Sequence, residues 1–212
     1  MMDKQQNVIR ILFIGNSYTS RNDLPGLLTS MAASCGTPLD AEAIVAGGAS
    51  LRRHWNHGEA ISAIRGTRWD YVVLQEQSTL PAKNARRYHD NVRIFEQEIR
   101  QRGARTALYL TWARKNAVTA QHAIDEAVMT IAREVGALVL PVGPAWQAAQ
   151  RDCAPLALYA ADGSHPTLAG TYLAACVMFT VLFKRDPPPL DRTLSLSERD
   201  ARCLRSIASR FT

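Results

Sequence analysis

Short apolar runs that end in polar or glycine-bearing loops alternate along this chain with segments of helical period, and that alternation constrains the fold most strongly. Residues 8–14 are apolar and largely β-branched apart from Arg10, and the run breaks at Gly15-Asn16. A strand buried on both faces of a parallel sheet reads this way. Further β-prone runs fall at 41–46, 71–74, 106–111 and 137–141. Between them, 24–34 carries Leu24, Leu27, Leu28 and Met31 at helical spacing, with Asp23 as cap and Gly36 as stop. Helices are expected also over 50–66, 84–103 and 120–136. The alanine-rich 167–183 reads as a well-buried helix, and the three prolines at 187–189 as a rigid linker to a terminal helix at about 197–209.

Five strands joined by helices through right-handed crossovers predict an α/β fold, a three-layer α/β/α sandwich around a five-stranded parallel sheet. A chain of 212 residues is long enough for one full core, and nothing divides it in two, so one domain is expected over 1–212. Strand order is not readable from spacing. Ligands of such sheets bind outside the carboxyl ends of the strands, so the loops that follow the strands are where chemistry is to be sought.

Composition removes several classes of function. Hydrophobic residues at 47% and charged residues at 21% argue against disorder. The longest apolar stretch, Leu173 to Phe183, is far shorter than the roughly 20 residues of a membrane span. Residues 1–10 show no leader-like apolar region, so a cytoplasmic protein is expected if Met1 is the native start. The net charge of +6 is mostly arginine and dispersed, with pairs such as Arg52-Arg53 and Arg86-Arg87 in helical segments, which fits a solvated surface and no nucleic-acid partner. Cys35, Cys153, Cys176 and Cys203 are scattered without metal spacing, and free buried thiols are expected in place of a disulfide framework or a metal site. His54 and His57 stand three apart but lack carboxylate or cysteine partners nearby, so no metal is expected there either.

Four loops carry groups of chemical interest, each with a plain structural alternative. Ser17 follows the first strand in Gly15-Asn16-Ser17-Tyr18-Thr19, where a nucleophile would sit, although serine at such turns is more often a cap. The segment fits neither a GxSxG elbow nor a phosphate loop. Asp162 precedes His165 by three in Ala161-Asp162-Gly163-Ser164-His165-Pro166-Thr167, close enough to orient the imidazole, or to form a locally satisfied turn. Gly47-Gly48 ends the second strand, where a backbone N–H can approach a ligand, or where the chain merely turns. Gln75-Glu76-Gln77-Ser78 ends the third, with amides able to donate to an oxyanion, or to bond the backbone. Together these are the parts of acyl transfer: nucleophile, base, orienting acid and oxyanion donors.

The ordered set GNSYT at 15–19, AGGASLRRHW at 46–55, WDYVVLQEQS at 69–78 and DGSHPTLAG at 162–170 resembles the SGNH/GDSL hydrolase superfamily over nearly the whole chain. The resemblance implies a flavodoxin-like sandwich, a catalytic Ser17–His165–Asp162 triad, and an oxyanion hole formed by the Ser17 and Gly48 N–H groups with a side chain of the third block. It implies a serine esterase acting through an acyl-enzyme on a small-molecule ester, without cofactor or metal and without insertion into a membrane. Two departures stand out. Asn16 replaces the usual Asp of the first block, and QEQS replaces the usual Gly-x-Asn-Asp, so the asparagine donor is missing. Gln75 is the first candidate replacement and Gln77 the second, since QEQS is similar to the QGES-type block of carbohydrate acetylesterase relatives. Motif position puts His54, Trp55, Trp112 and Arg114 near the catalytic edge, with Trp55 and Trp112 as candidate substrate-binding walls, although aromatics at such positions are more often core. Small acyl groups, and a carbohydrate O-acetyl group in particular, are the expected substrates. A thioesterase or lysophospholipase of the same fold, or a catalytically silent flavodoxin-like binding protein, are the alternatives.

Overall fold

The computed structural model describes residues 8–189 and 195–211. Its centre is β1 (Ile9–Gly15), whose side chains alternate between two cores: Ile11 and Phe13 face one, Leu12 and Ile14 the other. This accounts for its unbroken apolar run, because both faces of the strand are covered. On one side β1 pairs in parallel with β2 (Leu39–Val45), and on the other with β3 (Tyr71–Leu74). Beyond β3 lie β4 (Arg105–Tyr109) and β5 (Leu138–Leu140), also parallel, giving the order β2-β1-β3-β4-β5. This is the flavodoxin-like order, in which the chain leaves β1 toward one edge and returns on its other side. The reversal opens a crevice at the carboxyl ends of β1 and β3, the end at which Gly15 and Gln75 leave the sheet.

After β1 come the single turn α1 (Ser17–Ser20) and α2 (Leu24–Ser34). The segment expected as one helix over 50–66 is two, α3 (Leu51–His57) and α4 (Glu59–Gly66), broken at Gly58, which adopts φ +83°. That left-handed conformation is the one glycine tolerates and most residues avoid. The short α5 (Leu80–Lys83) leads into α6 (Ala85–Gln101), and α7 (Gln121–Val135) connects β4 to β5. The helix α8 (Val142–Asp152) has no counterpart among the expected elements. Gly143 and Pro144 in its first turn mask the apolar spacing of Val142, Ala145, Trp146 and Ala149 that buries it. Then follow α9 (Leu168–Phe183), buried around almost its whole circumference, and α10 (Glu198–Ala208). Helices α2, α8, α9 and α10 build the core on one face of the sheet, and α3, α4, α6 and α7 that on the other.

The cysteines correct an expectation. Cys153, just after α8, and Cys203 on α10 form a disulfide with Cα atoms 5.9 Å apart, while Cys35 and Cys176 are free. Sequence spacing hid the pair because fifty residues separate the two, and α10 returns across α8 only in the folded chain. Burial pushes the Cys176 thiol up to about 12, so it is an inert core group. Of residues 1–10, on which the expectation of no leader rests, residues 1–7 lie outside the described residues. Among the described residues no helix is long and apolar enough to cross a membrane.

Candidate active site

Ser17 opens α1 directly after the sheet. Asn16 caps that turn, its side-chain oxygen accepting from Tyr18 N at 3.1 Å and its amide donating to Ala49 O at 2.9 Å. The cap fixes the Ser17 backbone and ties it to the loop after β2. Gly15 permits the tight exit, since a Cβ there would lie 2.7 Å from Gln75 Oε1 and 2.6 Å from Thr19 Oγ1.

His165 arrives from the far end of the chain on the loop between α8 and α9. Its Nε2 is 2.8 Å from Ser17 Oγ, and its Nδ1 is 2.5 Å from Asp162 Oδ2. Asp162 Oδ1 also accepts from the backbone N–H groups of Ser164 and His165, both at 2.9 Å. These bonds, that to the imidazole foremost, hold the Asp162 carboxyl well below the usual carboxylate range. An ionised Asp162 requires the proton on Nδ1, which leaves the Nε2 lone pair facing the serine hydroxyl. Gly163, at φ +65°, makes the turn that brings the acid back onto the ring.

The His165 loop is pinned on several sides. Ala160 N donates to His165 O at 2.8 Å, Tyr159 pairs with Pro166 in an antiparallel bridge, and Lys115 N donates to Gly163 O at 2.8 Å. Trp112 Nε1 donates to Ser164 O at 3.0 Å, and the Tyr18 hydroxyl is 2.7 Å from Ser164 Oγ. Tyr18 stacks on Trp112 at 4.7 Å, Trp112 on Trp146 at 3.9 Å, and the Tyr18 ring meets the His165 ring edge-on at 5.7 Å. An aromatic column therefore supports the imidazole from behind. Sequence reasoning assigns no role to Tyr18, Ser164 or Tyr159; the first two stand directly beside Ser17 and His165, which is the signal that could find them, and Tyr159 carries none.

Three sequence expectations meet a different arrangement. Gln75 is fully buried: its oxygen accepts from Asn16 N at 2.8 Å and Thr19 Oγ1 at 3.1 Å, and its Nε2 donates to Glu76 O at 2.5 Å. It braces the serine turn from beneath the sheet edge and has no accessible donor. Trp112 is buried at 1% exposure inside the column, so it supports the site and lines no substrate surface. Trp55 is half-buried on α3 with its ring edge-on to Phe95 of α6 at 5.4 Å, and none of its ring contacts joins it to Ser17 or His165.

Gln77 and Gly48 stand differently. The Gln77 oxygen accepts from Thr79 N and Thr79 Oγ1, both at 3.0 Å, so the amide is anchored by its acceptor end while its Nε2 donates to no group among the described residues. The half-buried side chain thus presents an unused donor. Gly48, exposed and at φ +63°, has open space around its would-be Cβ, and neither its N–H nor that of Ser17 is used among the described residues.

Beneath these loops sits a buried polar network. Glu76 accepts from Gln77 N at 2.7 Å, Leu51 N at 3.1 Å and Asn91 Nδ2 at 2.8 Å, and burial raises its carboxyl above the ordinary range. His54, only 5% exposed, places Nε2 2.7 Å from Gly15 O, and burial lowers its imidazole. Both hold the loops of the site to one another. His54 is thereby a brace under the serine turn, away from any surface.

Among solved structures, the chain is similar to a protein from Slackia heliotrinireducens described as a candidate SGNH hydrolase, at 30% identity over 83% of this chain and 100% of that one, with a TM-score of 0.74. The chain belongs to the SGNH hydrolases. A DUF4886 family protein from Bacteroides uniformis shares the fold at 22% identity and TM-score 0.81, over 96% of this SGNH hydrolase and 94% of that chain. An acetyl-xylooligosaccharide esterase from Geobacillus does so at 14% identity and TM-score 0.64, over 87% and 97%. No protein-family model and no curated protein sequence matches the chain.

Proposed function

We propose that this SGNH hydrolase is a serine esterase that removes small acyl groups through an acyl-enzyme. The observation that carries the proposal is the continuous relay from Ser17 Oγ to His165 Nε2 at 2.8 Å and from His165 Nδ1 to Asp162 at 2.5 Å. In this reading His165 Nε2 takes the hydroxyl proton as Ser17 Oγ bonds to the ester carbonyl carbon, and Asp162 holds the tautomer and stabilises the imidazolium. The tetrahedral oxyanion is met by the N–H groups of Ser17 and Gly48 and by the Gln77 amide, whose anchoring on Thr79 supports it over Gln75. The intermediate collapses with cleavage of the ester C–O bond, and His165 returns the proton to the departing alcohol. Water, deprotonated by the same imidazole, then attacks the acyl-enzyme and releases the acid, restoring Ser17.

The fold neighbour that acts on acetylated xylooligosaccharides, and the likeness of QEQS to acetylesterase blocks, favour acetyl esters of carbohydrates as the first substrates to try. Hydrolysis of p-nitrophenyl acetate, butyrate and octanoate, with acetylated xylooligosaccharides in parallel, tests the reading. Turnover that favours the acetyl ester and disappears in Ser17→Ala is the expected result. A preference for octanoate or for acyl thioesters would move the assignment to a lipolytic or thioesterase activity. Equal rates for wild type and Ser17→Ala would leave a binding protein.

A further inference from the structure

The three proposed oxyanion donors leave the sheet on separate loops, so their spacing depends on what ties those loops together. Ser17 and Gly48 are joined by Asn16, whose amide donates to Ala49 O at 2.9 Å in a turn that Ala49 N closes on Ala46 O at 3.0 Å. Gly48 and Gln77 are joined by Glu76. One oxygen of its carboxyl, Oε1, accepts from Leu51 N at 3.1 Å and from Gln77 N at 2.7 Å, so the loops after β2 and β3 meet on a single atom.

The other oxygen is held by a relay of fixed polarity. Arg52 on α3 can only donate, and its Nε gives to Asn91 Oδ1 at 3.0 Å. Asn91, fully buried on α6, is thereby turned with Nδ2 toward Glu76 Oε2, at 2.8 Å. Each hydrogen-bond partner of the Glu76 carboxyl is thus a donor, and Glu76 itself is only 4% exposed. A neutral glutamine in its place would set an N–H against another N–H in either orientation. Burying a charge is costly, and a tie between two backbone N–H groups alone needs no more than one acceptor oxygen. We propose that Glu76 is the positioning residue of the oxyanion hole, its carboxylate fixing the Gln77 amide relative to the Gly48 N–H while Asn91 and Arg52 hold the carboxylate in turn. This role rests on the esterase reading and adds to it three residues outside the relay of Ser17, His165 and Asp162.

Steady-state hydrolysis of p-nitrophenyl acetate by the full chain and its variants tests the role, with melting temperatures measured in parallel. Glu76→Gln is expected to lower kcat about ten-fold at unchanged KM, since displaced donors cost the transition state and not ground-state binding. Adding Asn91→Asp supplies an acceptor for the new amide and keeps one for Arg52, and is expected to return kcat to within about three-fold of wild type. In a Gln77→Ala background, Glu76→Gln is expected to cost less than about three-fold, because the donor it aligns is already gone. Where Glu76→Gln does not fold, Glu76→Asp, which keeps the charge and shortens its reach, replaces it in the Gln77→Ala cycle. With hydrolysis dependent on Ser17 in the wild type, an unchanged kcat, a change in KM alone, no rescue by Asn91→Asp, or full additivity with Gln77→Ala would overturn the positioning role and leave the esterase reading standing. Absence of hydrolysis dependent on Ser17 would overturn both.

Discussion

The Tyr18 hydroxyl lies 2.7 Å from Ser164 Oγ, so the residue after Ser17 and the residue before His165 hold one another across the site. The same Tyr18 ring stacks on Trp112, whose indole N–H holds Ser164 O. Tyr18→Phe keeps the stack and deletes the bond. Loosening the serine–imidazole geometry in this way is predicted to lower kcat about ten-fold while leaving KM unchanged. A matched change in KM, or a loss of melting temperature with no change in kcat, would make Tyr18 a packing residue only.

The two glutamines of the third block are predicted to separate by readout. Gln77→Ala removes the proposed oxyanion donor and is expected to cut kcat by roughly 10²–10³ with little change in stability. Gln75→Ala strands the N–H of Asn16 and the hydroxyl of Thr19 beneath the sheet edge, at a cost of about 1–3 kcal/mol for each buried group left unsatisfied. Denaturant melts and steady-state kinetics on both variants check the division.

His54 makes stability depend on pH. Burial lowers its folded pKa below the ordinary 6.5, so on acidification the unfolded chain takes up the proton first. Its contribution is therefore fully present above that value and is lost as pH falls through the folded pKa. Glu76, raised by burial, acts with the opposite sign nearer the carboxylate range, where stability falls as pH rises. Unfolding free energies of wild type and His54→Gln between pH 7 and 5 are expected to show the steeper acid loss in the wild type.

The Cys153–Cys203 bridge closes a separation of fifty residues, for which chain entropy gives about 4 kcal/mol of stabilisation. Cys203→Ser is predicted to lower stability by roughly 2–4 kcal/mol and to leave ester hydrolysis intact, since neither cysteine is part of the Ser17 relay. Disulfides persist mainly in oxidising compartments, against the cytoplasmic expectation drawn from residues 1–10. Alkylation of the protein unfolded in denaturant without reductant, followed by mass measurement, is expected to label two of the four cysteines.

The sheet was legible because β1 is buried on both faces, and each strand's apolar run ends where its loop begins. Ser17, Asp162 and His165 were legible because each sits in a short motif at a strand or helix boundary. Helix α8 was not, since Gly143 and Pro144 disguise its start, and the disulfide was not, since it depends on how α10 returns. The roles of Gln75 and Trp112 turn on burial and side-chain direction, which sequence order does not carry: of two glutamines that flank Glu76 in one loop, Gln75 is buried as a brace and Gln77 is half-buried with a spare donor.

The central claim is that Ser17 is an activated nucleophile, and its reaction with a p-nitrophenyl organophosphonate, followed by intact mass and peptide mapping, tests it most directly. One phosphonyl group on Ser17, absent in Ser17→Ala and strongly slowed in His165→Ala, is the predicted result. An unmodified wild-type chain, or equal labelling of wild type and Ser17→Ala, would contradict the account.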